Sequence, residues 1–396
     1  YRFEAIPDGI SLKPRGKGRV DLYVNHETSP VPFPYSALPQ PAEANQNDFD
    51  NSQVSRLVLN QHSAGVLSGK MVIRSSENFQ RFCSNFLATA AEGFDRELLF
   101  TNEEATDSVN RTGTAWPAGP DAEQAGLVVA YDVRTGARRP IYGMGRHNHE
   151  NSVAIPGFDD LVVLSGDDTF STSSPGSQVY MYLAGNAGEV WNDEGQLYGF
   201  VADNAAINDY WDVPVGSATP IPGEFKMIGK AVAQGNQSAL EGASDGLGVF
   251  QFFRIEDIAY DKRPGMSNVV YLADSGKGSS SAGPTGFAST NGRIWKLELT
   301  DPGDPTQATL SLLVEGDDSP LAATDAAASF AEIHQPDNLE TTPNGSLLVT
   351  EDPSSGNTYA LPAGANKTEA RIWLVDLDAA DPDAARTTVA KVDQSA

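Results

Sequence analysis

The stretch Leu161–Asp168, LVVLSGDD, places four apolar residues before a Ser-Gly step and then two acids. A run this short, closed by a turn signal, fits a strand and not a helix. Working outward, the same unit recurs at Val20–Val24, Leu98–Phe100, Val179–Tyr182, Phe250–Ile255 and Val269–Leu272. It continues at Ile294–Leu299, Leu310–Val314, Leu347–Val349 and Ile372–Val375. Helical periodicity is confined to Glu77–Ala91 and the Ala-rich Leu321–Ala331, too few segments to alternate with strands in a parallel sheet. The expected fold class is all-β with a few short helices.

A chain of 396 residues made of many short strands must manage its sheet edges, and a propeller does so over this length. The expectation is a single β-propeller domain over residues 1–396, with six blades as the preferred count. Loop insertions are expected near 29–52, rich in Pro and Asn, and near 276–291, rich in Ser and Gly. Gly (37) and Pro (25) are numerous enough to punctuate many turns without a simple repeat. Against 53 acids stand 27 Lys and Arg, a net charge of −26, which disfavours nucleic acid and anionic membranes as partners and favours cations. No apolar run approaches the roughly 18 residues of a transmembrane helix. The chain begins at Tyr1 and not Met, from which a removed leader or a trimmed mature form is expected.

The acids fall where the strands stop. DLYVNHE ends at Glu27, ELLFTNEE at Glu103 and Glu104, LVVLSGDD at Asp167 and Asp168, and FFRIED at Glu256 and Asp257. VVYLAD ends at Asp274, LSLLVEGDD at Asp317 and Asp318, and SLLVTEDP carries Glu351 and Asp352. In a propeller, equivalent strand ends converge on one mouth of the channel. Two carboxylates about 4 Å apart repel by roughly 4 kcal/mol at an effective dielectric near 20, so a cluster of them calls for protons or cations. An oxygen-only donor set suits Ca²⁺, and several calcium ions are expected. The plainer reading is that these acids are solvated turn residues of an acidic protein. No segment follows the D-x-[DN]-x-[DN]-G loop, so any calcium site is assembled from separate loops.

GRHNHEN brings Arg146, His149, Glu150 and Asn151 together, a mix suited to holding an anionic substrate beside a metal, since Arg presents a planar donor fork. A turn whose His and Asn satisfy local backbone groups explains it equally well. The single cysteine, Cys83, stands among aromatics in NFQRFCSNF, and a lone cysteine there is ordinarily a small buried hydrophobe. The G-x-S-x-G elbow, HExxH, the P-loop and paired CxxC are all missing, which disfavours a serine triad or a lone zinc.

In order along the chain, VNHE, RFCSNFL, LLFTNEE, GRHNHENSVAIPG, SGDDT, SQVYMYLAG, FFRIEDIAYD, NGRIWKLEL, HQPDNLETTPNGSLLVTEDP and RIWLVDLD together resemble the PhoX-like alkaline phosphatases, in a divergent branch. These are secreted calcium-dependent phosphatases on a β-propeller. The resemblance implies a multi-metal centre with several calcium ions and iron as a further candidate, Cys83 becoming a candidate iron ligand. Beside it, the implied metal ligands are Glu27, Glu103, Glu104, Glu150, Asn151, Asp167, Asp168, Glu256, Asp257, Asp337, Asn338, Glu351 and Asp352. Arg146, His149 and Arg254 are the implied catalytic group, the arginines neutralising charge on a phosphate-ester substrate. Two other readings stand beside a phosphatase. One is a calcium-dependent lactonase or esterase propeller. The other is a calcium-stiffened cell-surface assembly protein without catalysis, its metals structural and its Pro-rich 29–52 insertion a contact arm, for which self-assembly is expected.

Overall fold

The computed structural model describes residues 6–27, 51–112, 119–120, 122–169, 174–276, 291–317, 332–352 and 370–391. It divides into two compact units interleaved in sequence. The first comprises Tyr1–Ala154, Tyr182–Leu197 and Gly229–Gly242, and the second Ile155–Met181, Tyr198–Ile228 and Ala243–Ala396.

In the first unit, β1 (Ile6–Gly16), β2 (Arg19–Glu27), β3 (Gln53–Asn60) and β4 (Val66–Ile73) form one antiparallel sheet in sequence order. A second four-stranded sheet contains β5 (Phe82–Ala88) and β6 (Leu98–Glu103). The chain then makes a two-stranded ribbon, β7 (Ser108–Val109) with β8 (Glu123–Gln124). It returns to the second sheet as β9 (Val128–Asp132) and β10 (Arg138–Ile141), in the order β10-β9-β6-β5, and goes on to β11 (His149–Ile155). Period-two alternation explains the packing: Tyr23 and Val54 turn inward to meet Phe82, Leu99, Val129 and Tyr131 in one core. Each such aromatic or aliphatic side chain contributes about 1.5–3 kcal/mol when withdrawn from water. A short helix, α1 (Ala187–Trp191), is capped by Asn186, whose side chain accepts from the Glu189 amide.

The second unit contains β12 (Leu161–Asp167), while β13 (Val179–Ala184) and β14 (Gln196–Ala202) include the points where the chain passes between units. After β15 (Ile221–Ile228) come α2 (Lys230–Ala233), which belongs to the first unit, and α3 (Gln237–Leu247), which includes a further passage between units. Next, β16 (Ile255–Tyr260), β17 (Val269–Asp274), β18 (Arg293–Asp301) and β19 (Asp304–Glu315) make an antiparallel meander, with β15 beside β19. A last meander is formed by β20 (Pro336–Thr341), β21 (Ser346–Glu351), β22 (Arg371–Asp376) and β23 (Thr387–Lys391). Every residue of β17, VVYLAD, is buried, as an unbroken apolar run in a central strand requires.

The all-β class holds, and the repeated four-stranded antiparallel meander is the element from which propeller blades are made. Two expectations are corrected. Glu77–Ala91 is not a helix: its Phe79, Phe82 and Phe86 imitate a helical stripe, but Asn78 and Arg81 take positive φ (62° and 40°), and Phe82–Ala88 is β5. The strand expected from Phe250 starts only at Ile255, because the preceding residues make isolated bridges to Ser177 and Asp209. Apart from Asn51, Ser52, Gly276 and Asn291 at their ends, the expected insertions lie outside the described residues, as do the 321–331 helix and Asp318.

Candidate functional site

At the ends of the middle strands, neighbouring acids part company. Side chains alternate across a strand, so two consecutive acids face opposite ways. Glu103, at the end of β6, accepts from the backbone amides of Gln80 (2.8 Å) and Leu127 (3.1 Å) and holds Arg111 through both oxygens at 2.7 and 2.8 Å. Glu351, at the end of β21, accepts from the amides of His334 and Arg371 (both 3.0 Å), from the Arg371 guanidinium and from the Trp373 indole (2.8 Å). Asp274, at the end of β17, accepts from the amides of Phe253, Arg254 and Gly276 and from the Trp295 indole. These three acids are anchors that tie the approach to a sheet's first strand to its middle strand. Glu103 and Glu351 were expected as metal ligands, and their carboxylates are committed to these bonds instead. Asp257 is likewise engaged, accepting from the amides of Ile258 and Leu339 at 2.7 Å each.

The residues that gather with a thiol lie in the first unit. Asp8, Glu27 and Cys83 have ligand atoms within 4.8 Å of one another, and so do Cys83, Glu104 and Glu150. Cys83 Sγ lies 2.9 Å from Glu150 Oε1 and 3.4 Å from Asp8 Oδ2. Burial pushes the Cys83 thiol well up, and the negative charges of Asp8, Glu150, Glu27 and Glu104 push it further. The Asp8 carboxyl is also raised by burial, against hydrogen bonds from Cys83 and with Glu27. One thiol sharing a pocket with four carboxylates is a donor set for a cation: the oxygens suit a hard ion such as Ca²⁺, and the sulfur suits iron.

In the second unit, Arg254 clasps Asp168 through Nε and Nη2, each 2.7 Å from a carboxylate oxygen, and its Nη2 lies 2.7 Å from Glu256 Oε1. Ser275 donates to the same Glu256 oxygen at 2.9 Å. Burial raises the Glu256 carboxyl well above the usual range; Arg254 opposes this, while Asp168, Asp337 and Asp352 add to it. Four of the expected ligands thus share one electrostatic environment within this unit. Asp167 accepts from the Thr169 hydroxyl at 2.8 Å, and Asn338 is exposed.

One local device places these side chains. Pro7 pairs with His26 and Ile10 with Val24, so Asp8 and Gly9 together face Asn25. Phe82 pairs with Glu103 and Asn85 with Thr101, so Cys83 and Ser84 face Asn102. Pro336 pairs with Glu351 and Leu339 with Val349, so Asp337 and Asn338 face Thr350. Ile255 pairs with Asp274 and Asp257 with Ala273, which makes Glu256 the extra residue. These four strands, β1, β5, β20 and β16, each carry a β-bulge at a candidate ligand, and a bulge re-aims a side chain out of the ladder.

The GRHNHEN segment divides. Glu150 joins the thiol cluster, with Asn151 next to it in β11 and buried. Arg146 instead turns to Glu123, 2.9 Å away, and to the Gln124 carbonyl, which lowers the Glu123 carboxyl; its expected role against substrate is not what its contacts serve. His149 is buried, which lowers it to about 4. Its Nε2 lies 3.1 Å from the Gly145 carbonyl, which can only accept, so Nε2 carries the proton of a neutral ring. The His147 ring stacks on it at 3.5 Å. Asp8 was missed by the sequence reading: it sits inside β1 rather than at a strand end, and Asp-Gly reads as a turn.

A family model, alkaline phosphatase PhoX, matches residues 72–389. The chain belongs to the PhoX alkaline phosphatase family. The PhoX match takes in Cys83, Glu104, Glu150, Asp168, Arg254 and Glu256, while Asp8 and Glu27 precede it. No curated protein matches the chain. Among solved structures, the orthorhombic form of Pyrococcus horikoshii acylaminoacyl peptidase is similar at 9% identity and a TM-score of 0.33, over 99% of this chain and 46% of the peptidase. Its uncomplexed form gives 8% and 0.32, over 98% and 46%. An acylaminoacyl peptidase in complex with Z-Gly-Gly-Phe-chloromethyl ketone gives 8% and 0.29, over 93% and 45%. This chain spans less than half the length of those peptidases, and at that distance they carry no argument about it.

Proposed function

We propose that this PhoX-family chain is a secreted, metal-dependent phosphatase that hydrolyses phosphate esters, with calcium, and iron at the thiol, as its metals. The observation that carries the reading is the grouping of buried Cys83, Glu27, Glu104 and Glu150 with half-buried Asp8. A cation bound there supplies Lewis acidity toward a phosphoryl oxygen. Cys83, Glu104 and Glu150 would hold it, and Asp8 and Glu27, which gather with the same thiol, would offer further oxygens. Glu27, Cys83, Glu104 and Glu150 are buried and Asp8 is half-buried, and the exclusion of bulk water strengthens the charge interactions inside. In the second unit, Asp168 and Glu256 occupy the donor fork of Arg254 and fix its head, so a positive charge stands in place without reorganisation when an anion approaches. His149, neutral and donating to Gly145, orients its loop and does not shuttle a proton at alkaline pH.

The test is the initial rate of p-nitrophenyl phosphate hydrolysis at alkaline pH, with metal content measured on the same sample, before and after chelation and after calcium return. Activity that disappears with the metals and returns with calcium is expected. A chain that keeps its metals and its fold yet turns over no phosphate ester overturns the reading in favour of a structural metal protein.

A further inference from the structure

We infer that Asn25 and Asn85 are positioning residues whose paired amides clamp two β-bulges face to face and so bring Asp8 against Cys83. This rests on the metal-dependent reading above and names what holds its thiol cluster in shape. The Asn25 side-chain Nδ2 donates to the carbonyl oxygens of both bulged residues of β5, Cys83 at 2.8 Å and Ser84 at 3.0 Å. Its Oδ1 accepts from Asn85 Nδ2 at 2.9 Å. Asn85 Nδ2 donates in turn to the carbonyl of Gly9, the bulged residue of β1, while Asn85 Oδ1 accepts from the Ser11 hydroxyl.

Both amide orientations follow from the partners. Backbone carbonyls only accept, so the nitrogen of each amide must face them, and the remaining oxygen of Asn25 must face the Asn85 nitrogen. A bulge removes ladder partners from the backbone groups it displaces. Here the side chain opposite one bulge satisfies the carbonyls of the other. The two strands are also pressed together: a Cβ on Gly9 would lie 2.2 Å from the Asn85 backbone nitrogen. The 3.4 Å approach of Asp8 Oδ2 to Cys83 Sγ is the product of this clamp, since each side chain leaves its strand from a clamped bulge.

Asn25→Asp keeps the shape of the side chain and deletes the donor, setting an oxygen against two carbonyls. In the full-length protein it is expected to remain folded by circular dichroism and to lower kcat by about 10–100-fold with KM unchanged, the range found when groups behind metal ligands are altered. A second readout needs no activity. Cys83 is the only cysteine, so Asp8→Cys gives a chain with two, and in chelated protein their disulfide is expected to form under mild oxidant. Adding Asn25→Asp should slow that closure by about tenfold, the effect on a rate of about one lost hydrogen bond. Should Asn25→Asp not fold, Asn25→Ser, which keeps a donor but shortens its reach, enters the same two assays. A disulfide that closes equally fast with and without the Asn25 change, or a kcat that does not move, overturns the inference. Because the closure is read on inactive, metal-free protein, it stands or falls separately from phosphatase activity.

Discussion

Glu103 and Glu104 are adjacent, yet one closes on Arg111 and two backbone amides while the other joins a thiol and further carboxylates. Substitutions at the two should separate stability from activity. Glu103→Gln leaves Arg111 its 2.8 Å pair with Glu123 and puts a neutral amide against the Gln80 and Leu127 amides, and should destabilise the fold by about 1–3 kcal/mol, the range for losing buried hydrogen-bond partners, as read by urea denaturation. Glu104→Gln should unfold within about 1 kcal/mol of the parent, since it removes one of several like charges, and yet show no phosphatase turnover. Asp317 makes a different prediction. Burial and the nearby Glu315 lift it from 3.8 to about 7, against Arg293 and a 2.6 Å hydrogen bond from the Tyr210 hydroxyl. The folded state therefore holds this proton more tightly than the unfolded state. Its stabilising contribution is complete below about pH 4 and is lost as pH rises to about 7, a difference on the order of a few kcal/mol. Asp317→Asn, toward which the Tyr210 hydroxyl can turn to accept, should flatten the fall in melting temperature between pH 4 and 7.

Among elements, the strands built on short apolar runs were legible because burial on one or both faces leaves a pattern that turn residues punctuate. Helix imitation at Glu77–Ala91 is broken by Asn78, of a type known to take left-handed φ, and by Arg81, which no propensity argument marks. The acid pairs were legible as pairs, but which member anchors and which faces the thiol depends on the parity of the strand, and a bulge resets that parity. Bulges are a matter of register between strands distant in sequence, so nothing at Cys83 or Glu256 alone announces them. Asp8 escaped for the same reason. The contact between β1 and β5 can be tested through Gly9, whose Cβ has no room beside Asn85. Gly9→Ala should destabilise the protein by about 1–3 kcal/mol through overpacking, measured by denaturation, and should lower phosphatase activity with it.

For the molecule as a whole, a net charge of −26 means that the folded chain works against its own repulsion, and cations relieve it in two distinguishable ways. Simple screening depends on ionic strength alone, whereas occupation of particular sites follows the concentration of the ion that fits them. Calcium chloride should therefore raise the melting temperature well beyond sodium chloride of equal ionic strength; equal shifts would reduce the effect to screening. Length, charge and the all-β class were readable from composition and runs. The interleaving of the two units was not, because it rests on contacts between segments that share no motif: the chain passes from one unit to the other after residues 154, 181, 197, 228 and 242.

The alternation of anchor and ligand along β6 has a consequence for inheritance. A single-codon deletion between Leu98 and Thr101 that kept the pairing with β9 would draw Glu104 into the place of Glu103, which keeps a carboxylate on Arg111, but would also set Glu103 in the place of Asn102, against the Ser84 and Glu150 carbonyls, and Ala105 where Glu104 stood. Such a lineage would lose the chemistry and strain the sheet in one step, so length changes in these strands should be purged by selection on activity and on folding alike.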